Sequence, residues 1–325
     1  MNINKSNIRM WSRLGSCGAY GQAVLEIPEI NDLMVACTAD LCFYSGLDRF
    51  KKQFPDRLYN VGIAEQNLLG IAGGLAKEGF NPFVSTYASF ATTRALDQVR
   101  VNMGYMELPI KLFGLTSGFS VGILGATHTS IEDVAIMRAI PNITIISPAD
   151  ATETVKATLA LAKYDKPAYV RLTGPMGLPV VYNEDYEFEI GKSIMLKEGE
   201  DIAIIATGTM VAPCLKVAEA LEADGISAKV INMHTIKPLD VNGVDAALAC
   251  KAIVTVEEHS KIGGLGGAVA EYISDKKDAP ALLRIGVEDI FYHAGSYNYL
   301  ISKAGLTFEA INKKIHNFME EEKND

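Results

Sequence analysis

The stretch from Ile202 to Asn232, IAIIATGTMVAPCLKVAEALEADGISAKVIN, contains two short apolar runs separated by a longer amphipathic segment. The runs Ile202–Ala206 and Ala228–Asn232 are rich in Val, Ile and Ala and are bounded by polar residues, which is typical of buried parallel strands. The spacing of apolar residues in Val211–Ala223 predicts a helix between them. A strand, a helix and a second strand in this order indicate an α/β fold with a parallel sheet.

The same alternation continues through the rest of the chain, whose 325 residues predict two domains at about 150 residues per domain. The segment Thr173–Glu200 interrupts it with two prolines and an acidic run, as interdomain linkers do. We therefore predict an α/β chain with domains at residues 1–185 and 195–325. The other predicted elements are the strands Leu33–Cys37, Ile110–Leu115, Ile143–Ile146, Ala168–Leu172, Ala252–Val256 and Leu282–Ile285 and the helix Ala149–Tyr164.

Composition excludes several classes of function. Lys and Arg number 30 against 39 Asp and Glu, and this net charge of −9 argues against nucleic-acid binding. The sequence has no run of 18 apolar residues, so we predict no membrane-spanning helix. The N-terminus lacks the apolar core that is typical of a signal peptide. Five cysteines without a CxxC pair predict reduced thiols and a cytoplasmic location. Cys37 and Cys42 lack a supporting His or Cys cluster, so we predict no metal site on this chain.

Three motifs in the first half of the chain contain residues that could bind a ligand or take part in catalysis. Glu65 opens a Gly- and Ala-rich helical stretch, where it is either a carboxylate favoured by the helix dipole or a buried group that needs a partner. Tyr87 and Phe90 are three residues apart, so on a helix their rings would form one wall, either as ordinary core or around a ligand. His128 ends the glycine-rich loop Gly118–His128, and such loops place functional groups on α/β scaffolds.

A fourth motif, Glu258-His-Ser-Lys-Ile-Gly-Gly-Leu-Gly-Gly267, follows a predicted strand in the second half. Glycine-rich turns between a strand and a helix can hold phosphate. This motif matches neither the GxGxxG nor the GxxxxGK[ST] spacing. We therefore interpret it as a close-packing turn.

The order and spacing of the motifs carry more information than any one of them. They are Ala39-Asp40-Leu41, Gly62-Ile-Ala-Glu65-Gln66, Tyr87 with Phe90, Gly125-Ala-Thr-His128, Ser147-Pro-Ala-Asp150, Met233-His-Thr-Ile-Lys-Pro-Leu239 and Glu257-Glu-His-Ser with Ile262-Gly-Gly-Leu-Gly-Gly267. The first five resemble the pyrimidine-binding domain of transketolases, and the last two resemble the transketolase C-terminal domain. The resemblance implies a thiamine-diphosphate-binding pyrimidine domain with a parallel sheet, followed by a smaller α/β domain.

The resemblance also implies a reaction, the transfer of a two-carbon ketol unit from a ketose to an aldose. Glu65 matches the glutamate that hydrogen-bonds N1′ of the cofactor's aminopyrimidine, a role that suits a buried carboxylate able to share a proton. His128 matches a histidine that binds the donor sugar near C1. Both are therefore predicted to be catalytic residues, with thiamine diphosphate as the electron sink.

Four further positions match residues that contact the cofactor in this family. Tyr87 and Phe90 match the rings that stack on the pyrimidine. Asp40 and Leu41 match residues near the thiazolium. Together with Glu65 they form the predicted cofactor-binding set.

The sequence contains no Gly-Asp-Gly, the motif that begins the diphosphate and metal site of single-chain transketolases. The resemblance therefore implies the shorter subunit of a two-subunit transketolase. We expect the diphosphate site and Mg²⁺, or another divalent ion, on an N-terminal-half partner subunit. The expected complex is a heterotetramer, and this chain alone should be inactive.

The chain departs from the family at the positions that grip the sugar's terminal phosphate. Two arginines, a serine and a histidine are replaced by Cys17, Tyr44, Thr116 and Gly174, which removes bidentate recognition of an anion. An acidic residue four before the loop histidine is replaced by Leu124. The resemblance thus implies retained chemistry on an altered substrate, with 6-deoxy-6-sulfofructose or an uncharged ketose as candidate donors. The residues considered as a replacement cation are Arg171, Arg13 and Lys111.

Alternative functions share the same pair of domains. The β subunits of 2-oxoacid dehydrogenases also carry a Gly-Ile-Ala-Glu motif, but the loop ending at His128 and the stretch ending at Leu239 favour a transketolase. Deoxyxylulose-phosphate synthase is a single chain with the missing domain attached. An ordinary sugar-phosphate transketolase subunit and a scaffold that has lost its substrate site also remain as alternatives.

Overall fold

The computed structural model describes residues 1–321 and builds them around two β-sheets. The strands are β1 (Met34–Thr38), β2 (Leu58–Asn60), β3 (Asn81–Tyr87), β4 (Lys111–Ser117), β5 (Thr144–Ile146), β6 (Ala168–Thr173), β7 (Ile194–Lys197), β8 (Ile202–Ala206), β9 (Ala228–Asn232), β10 (Thr235–Lys237), β11 (Ala252–Ser260) and β12 (Ala281–Val287). The α-helices are α1 (Lys5–Val24), α2 (Ile27–Ile30), α3 (Asp48–Gln53), α4 (Glu65–Lys77), α5 (Leu96–Val99), α6 (Asp133–Ala139), α7 (Ala151–Leu161), α8 (Val211–Ala223), α9 (Val241–Leu248), α10 (Leu265–Ser274), α11 (Tyr297–Lys303) and α12 (Phe308–Glu321). Short 3₁₀-helices cover Pro55–Arg57, Gly122–Thr127 and Gly208–Met210, and π-helices cover Phe90–Arg94 and Arg100–Tyr105.

The first sheet has seven strands in the order β10-β5-β6-β4-β3-β1-β2. All its pairings are parallel except that of β10, which runs antiparallel to β5 at the edge. Its strands send alternate side chains into two separate cores, as the period of a strand requires. Phe113 packs with Tyr20 and Leu161 on the side of α1 and α7, whereas Leu112 packs with Leu68 on the side of α4.

The second sheet has five strands in the order β12-β11-β8-β9-β7, with β7 antiparallel at its edge. The apolar run IAIIA forms β8 at its centre, where all five residues are buried. Ile202 and Ile204 face the core under α8 and α12, and Ala203 and Ile205 face the core under α9 and α10. Burial on both faces explains why this strand is continuously apolar.

The predicted α/β fold is therefore confirmed, with one refinement. Each of the eight predicted strands is present, but each sheet has one antiparallel strand at its edge, so both sheets are mixed. The strand β10 comes from the second half of the chain yet completes the first sheet. The strand β7 lies within the segment that the sequence predicts to be a linker.

The topology of the first sheet determines where a site can form. The strands β6, β4, β3, β1 and β2 are neighbours and run parallel, so their carboxyl ends lie side by side along one edge of the sheet, perpendicular to the edge formed by β10. Asp40 follows β1, Glu65 follows β2, Tyr87 ends β3, Gly118 follows β4 and Gly174 follows β6. Ligands of open α/β sheets bind outside the carboxyl ends of their strands.

Candidate active site

Glu65 is the first residue of α4, as predicted, and is only 3% exposed. Its two carboxylate oxygens accept hydrogen bonds of 2.9 and 2.8 Å from Nη1 of Arg94. The helix N-terminus and this guanidinium both favour the negative charge, so the buried carboxylate has the partner that burial demands. Arg94 is half-exposed and ends the π-helix that begins at Phe90.

Three rings lie together beside this ion pair. The ring of Tyr87 is 5.8 Å from that of Phe90, and the ring of His128 is 5.6 Å from Tyr87 and 5.2 Å from Phe90. All three pairs meet edge to face, and all three side chains are half-buried. The prediction that Tyr87 and Phe90 share one helix face is wrong, because Tyr87 ends β3 and Phe90 begins the π-helix. Both rings are partly exposed, and Tyr87 also packs against the core beside α1.

Arg94 connects the carboxylate to the rings. Its guanidinium carbon lies 4.1 Å above the centre of the Phe90 ring while Nη1 holds Glu65. A guanidinium above an aromatic face is a favourable cation–π contact. The sequence reasoning missed Arg94, and the available signal was its position four residues after Phe90 in a helical stretch.

The segment that carries His128 is more ordered than the predicted loop. Residues Gly122–Thr127 form 3₁₀ turns broken at Gly125, whose φ of 73° lies in the left-handed region that favours glycine. The chain then reaches His128, whose Nδ1 lies 2.9 Å from Oγ1 of Thr127. That hydrogen bond fixes the orientation of the imidazole beside the other two rings.

Asp40 and Leu41 occupy the turn after β1. Asp40 has a φ of 59°, and two hydrogen bonds to Asn60 hold this conformation. The side-chain oxygen of Asn60 accepts from the backbone N–H of Asp40 at 2.9 Å, and the side-chain amide of Asn60 donates to the Asp40 carboxylate at 3.2 Å. The same Asn60 oxygen accepts from the N–H of Gly62 at 3.1 Å, which ties the turn to the segment before Glu65. Leu41 is half-buried and packs against the core beside α1.

Two of the four predicted substrate-tail residues, Tyr44 and Cys17, lie near Tyr87, and a third, Thr116, contacts Cys17. The ring of Tyr44 is 6.4 Å from that of Tyr87, and burial, Tyr44 and Cys17 together raise the pKa of the Tyr87 hydroxyl. Burial raises the pKa of the Cys17 thiol to about 11, while a hydrogen bond from the backbone of Thr116 opposes that rise. Thr116 has a φ of 54°, and its buried hydroxyl has no partner within residues 1–321. Such strain in a β-branched residue is typical of functional sites.

Gly174, the fourth tail residue, lies at the end of β6 with a φ of 88°. Its N–H donates to Oγ of Ser120 at 2.7 Å, so it contacts the start of the segment that carries His128. A Cβ at this position would lie 2.4 Å from the tip of the Leu178 side chain, so a larger residue would require that side chain to move.

Of the three candidate cations for the sugar's tail, Arg171 and Lys111 are committed to other contacts. Arg171 is 2% exposed, and its guanidinium is committed to Asp133 at 2.9 Å and to two backbone carbonyls. Lys111 begins β4 at the opposite edge of the sheet, where burial lowers its pKa to about 7 and Nζ donates to two carbonyls. Arg13 lines an exposed groove of α1 with Lys5. Arg171 and Lys111 are therefore wrong as candidates for binding the sugar.

The glycine-rich turn after β11 is filled by the chain itself. Glu257 accepts hydrogen bonds from the N–H groups of Leu265 and Gly266 at 2.7 and 2.8 Å. A carboxylate at the start of α10 occupies the place that a phosphate would need. The turn is thus a packing turn, as the sequence predicts.

Within residues 1–321, no group of three or more His, Cys, Asp and Glu side chains is arranged to hold a metal ion. Over the same residues, no helix combines the length and the hydropathy needed to cross a membrane.

Comparison with known families agrees with this geometry. The chain matches the family "Transketolase, pyrimidine binding domain" over residues 16–176 and the family "Transketolase, C-terminal domain" over residues 191–311. It is 41% identical to a putative transketolase C-terminal section of Methanocaldococcus jannaschii, over 93% of this chain and 96% of that protein.

Two relatives are named by substrate. A 6-deoxy-6-sulfo-D-fructose transketolase subunit of Clostridium sp. is 40% identical, with 93% of each chain covered. An apulose-4-phosphate transketolase subunit of Phocaeicola vulgatus is 37% identical over 93% of this chain and 96% of that protein.

A solved structure titled "Split gene transketolase, inactive beta4 tetramer" superimposes with a TM-score of 0.84 at 38% identity. The match covers 94% of this chain and 98% of that chain. The family matches cover both halves of the chain, and the relatives match it almost from end to end. The chain therefore belongs to the transketolase family, with the fold of its pyrimidine-binding domain followed by that of its C-terminal domain.

Proposed function

We propose that this chain is the shorter subunit of a two-subunit transketolase that transfers a two-carbon ketol unit from a ketose to an aldose. The observation that carries the proposal is the buried carboxylate of Glu65, held by Arg94 beside the half-buried rings of Tyr87, Phe90 and His128. This arrangement fits the aminopyrimidine half of thiamine diphosphate, since it offers a proton acceptor beside aromatic faces.

The bound cofactor would supply the electron sink for breaking a carbon–carbon bond. In this proposal Glu65 holds a proton at N1′ of the pyrimidine, and Tyr87 and Phe90 orient the ring. His128 donates or accepts a hydrogen bond at the oxygen atoms of the donor sugar near its C1. Asp40 and Leu41 border the thiazolium end. These roles use the edge of the first sheet at which the structure gathers the residues.

We further propose that a second polypeptide completes the site with the diphosphate ligands and a divalent ion, as part of a heterotetramer. The support is that relatives named as transketolase subunits match this chain almost from end to end, together with apolar side chains that are left exposed around the candidate site. Contiguous exposed apolar surface marks interaction sites. The exposed residues next to the site in sequence are Phe43, Tyr44, Ile63, Ile123 and Leu124.

The proposed donor is a ketose with a sulfonated or uncharged end, with 6-deoxy-6-sulfofructose as the leading candidate. The tail positions offer a thiol, two hydroxyls and a glycine, and Arg171 and Lys111 are committed elsewhere. A sulfonate carries one negative charge, whereas a phosphate carries about 1.5 to 2 at neutral pH. The hydroxyl of Thr116 has a free hydrogen-bonding capacity within residues 1–321, but it is buried, so neighbouring side chains would have to move for it to donate to such a group. One relative is named for this sugar and another for a sugar phosphate, so the relatives support both donor classes.

The test is to co-purify the chain with a partner that carries the Gly-Asp-Gly motif and to add thiamine diphosphate and Mg²⁺. We expect ketol transfer from a ketose to glyceraldehyde 3-phosphate. Decarboxylation of a 2-oxoacid without ketol transfer would instead identify a 2-oxoacid dehydrogenase β subunit.

Donor choice is tested by direct competition between 6-deoxy-6-sulfofructose and fructose 6-phosphate in the same complex. Loss of several charge-assisted hydrogen bonds, at roughly 1.5–3 kcal/mol each, would lower kcat/KM for the phosphate by about 10³ or more. A higher kcat/KM for fructose 6-phosphate would overturn the donor proposal and leave the ketol transfer standing.

The domain boundaries and the location of the protein complete the proposal. We place the domains at residues 1–185 and 195–325. The chain enters the second sheet at β7 and returns to the first sheet only for its edge strand β10. We also propose a cytoplasmic location, which the five free cysteines support.

A further inference from the structure

A carboxylate from the second half of the chain reaches into the segment that carries His128. Glu258, in β11, is fully buried, and its Oε1 accepts a hydrogen bond of 2.7 Å from the backbone N–H of Phe119. Its Oε2 accepts from Oγ1 of Thr209 and from the hydroxyl of Tyr297, each at 2.6 Å. Three donors thus satisfy the carboxylate, two from its own half of the chain and one from the first residue after Gly118.

The segment from Phe119 to Thr129 is closed at its base. The N–H of Gly118 donates to the carbonyl of Ser130 at 2.8 Å, and the N–H of Ser130 donates back to the carbonyl of Gly118 at 3.1 Å. Glu258 binds next to this closure, since a Cβ on Gly118 would lie 2.2 Å from its Oε1. Gly118 also has a φ of 65°, so the position admits the carboxylate only because it is glycine.

Two more contacts from the second half of the chain, and one from Arg171 in β6, hold the same segment. Gly295 donates its N–H to the carbonyl of Gly122 at 3.1 Å, and a Cβ on Gly122 would lie 2.1 Å from Leu300 of α11. Arg171 bridges the base, donating from Nη2 to the carbonyl of Ser130 at 3.2 Å and to that of Glu258 at 2.8 Å. The second half of the chain therefore contacts the segment at its base and at its middle.

We propose that Glu258 is a positioning residue for the segment 119–128, through which the C-terminal domain sets the place of His128 against Tyr87 and Phe90. Glu258 directs its carboxylate to the backbone of Phe119 rather than to the three rings, so it acts on His128 through the segment. The part of the inference that concerns donor binding rests on the proposed function, whereas the part that concerns the segment's conformation does not.

The first test measures amide hydrogen exchange in the isolated full-length chain and in the variant Glu258→Gln. An amide has one acceptor oxygen where the carboxylate has two, so Phe119 or the two hydroxyls lose a charge-assisted bond. We expect exchange in residues 119–128 to rise by about tenfold or more.

Glu257→Gln is the matched control, because Glu257 is equally buried and adjacent but caps α10 instead. It should raise exchange at the start of α10 and leave residues 119–128 unchanged. Unchanged exchange of that segment in Glu258→Gln, or an equal rise in Glu257→Gln, would overturn the proposal. If Glu258→Gln does not fold, Tyr297→Phe replaces it, because this variant removes one hydrogen-bond donor from the Glu258 carboxylate. We expect amide exchange in residues 119–128 of Tyr297→Phe to be about threefold faster or more. Unchanged exchange in that variant would also overturn the proposal.

The second test uses the complex with the partner subunit. Glu258→Gln should lower kcat/KM for the ketose by about tenfold or more while the Kd of thiamine diphosphate changes less than twofold, since Glu65 and Arg94 are untouched. Glu257→Gln should change neither kcat/KM for the ketose nor the Kd of thiamine diphosphate. Equal losses of cofactor and donor affinity would contradict a positioning role. A complex without any ketol transfer would refute the proposed function, and the exchange test would still decide the role of Glu258.

Discussion

Nη1 of Arg94 lies 2.8 Å from Oε2 and 2.9 Å from Oε1 of Glu65, so one guanidinium nitrogen bridges both oxygens of a buried carboxylate. The carboxylate is 3% exposed and the arginine side chain 48% exposed, so the pair lies at the boundary between protein and solvent. This position keeps the buried charge of Glu65 compensated, while the exposed part of the pair is the arginine side chain.

Glu65→Gln should abolish turnover in the complex and leave the fold and subunit assembly intact. A neutral amide cannot hold the proton at N1′, and general acid–base contributions are typically about 10²–10⁴-fold in rate. The measurement is kcat in the presence of saturating cofactor. Glu78→Gln, an exposed glutamate after the same helix, is the control and should behave as wild type. More than half of the wild-type kcat in Glu65→Gln would contradict the assignment.

Arg94→Gln should weaken the site without unfolding the chain. Because Arg94 is half-exposed, solvent screens the pair, and we expect a loss of about 1 kcal/mol in the free energy of unfolding. Activity of the complex should fall about tenfold, with partial recovery in Arg94→Lys, which keeps the charge but not the planar guanidinium. Arg100→Gln, which removes an exposed arginine 3.8 Å from Asp97, is the control. Equal effects of the two glutamine variants would exclude a specific role for Arg94.

The isolated chain should not bind thiamine diphosphate tightly. In the proposed function this chain binds only the pyrimidine half of the cofactor, and no group of three or more His, Cys, Asp and Glu side chains in residues 1–321 is arranged to hold a metal ion. Titration calorimetry with Mg²⁺ should therefore give no saturable heat at micromolar concentrations, and saturable heat should appear once the partner is added. A micromolar Kd for the chain alone would contradict the two-subunit proposal.

His259 should contribute to acid sensitivity. Burial lowers its pKa to about 4 although Asp133 opposes that shift, so the folded chain keeps this imidazole neutral where the unfolded chain protonates it. Its contribution to stability is therefore present above pH 6.5 and is lost as the pH falls towards 4, by up to roughly 3 kcal/mol at about 1.4 kcal/mol per pH unit. Urea unfolding at pH 7, 5.5 and 4.5 should show the wild type losing more stability than His259→Gln.

Parallel loss of stability in the wild type and in His259→Gln would show that the buried imidazole does not cause the effect.

Sequence patterns predicted the elements that are buried on both faces. IAIIA in β8 is continuously apolar, and AKVIN in β9 has three apolar residues of five, because both faces of these strands are buried. This composition can be read from the sequence alone. The strands that escaped prediction lack such a signal. β2 has three residues that are partly or fully exposed, and β3 begins with Asn81 and Pro82.

The motifs also indicated which residues would lie together in the candidate site. Parallel strands end at one edge of a sheet, so residues that follow β1, β2, β3, β4 and β6 meet there whatever their separation in sequence. The sequence did not reveal how they meet. Tyr87 and Phe90 lie on different elements, and the cations Arg171 and Lys111 are used elsewhere in the fold.

What the sequence by itself determined is therefore the α/β architecture, the family and the residues at the edge of the first sheet. Only the tertiary structure decided that Arg94 is the partner of Glu65 and that Glu258 holds the segment carrying His128. Arg94 and Glu65 are 29 residues apart along the chain, and Glu258 and its partner Phe119 are 139 residues apart. Local periodicity reports burial within one element, whereas the partner of a buried charge depends on how distant elements pack.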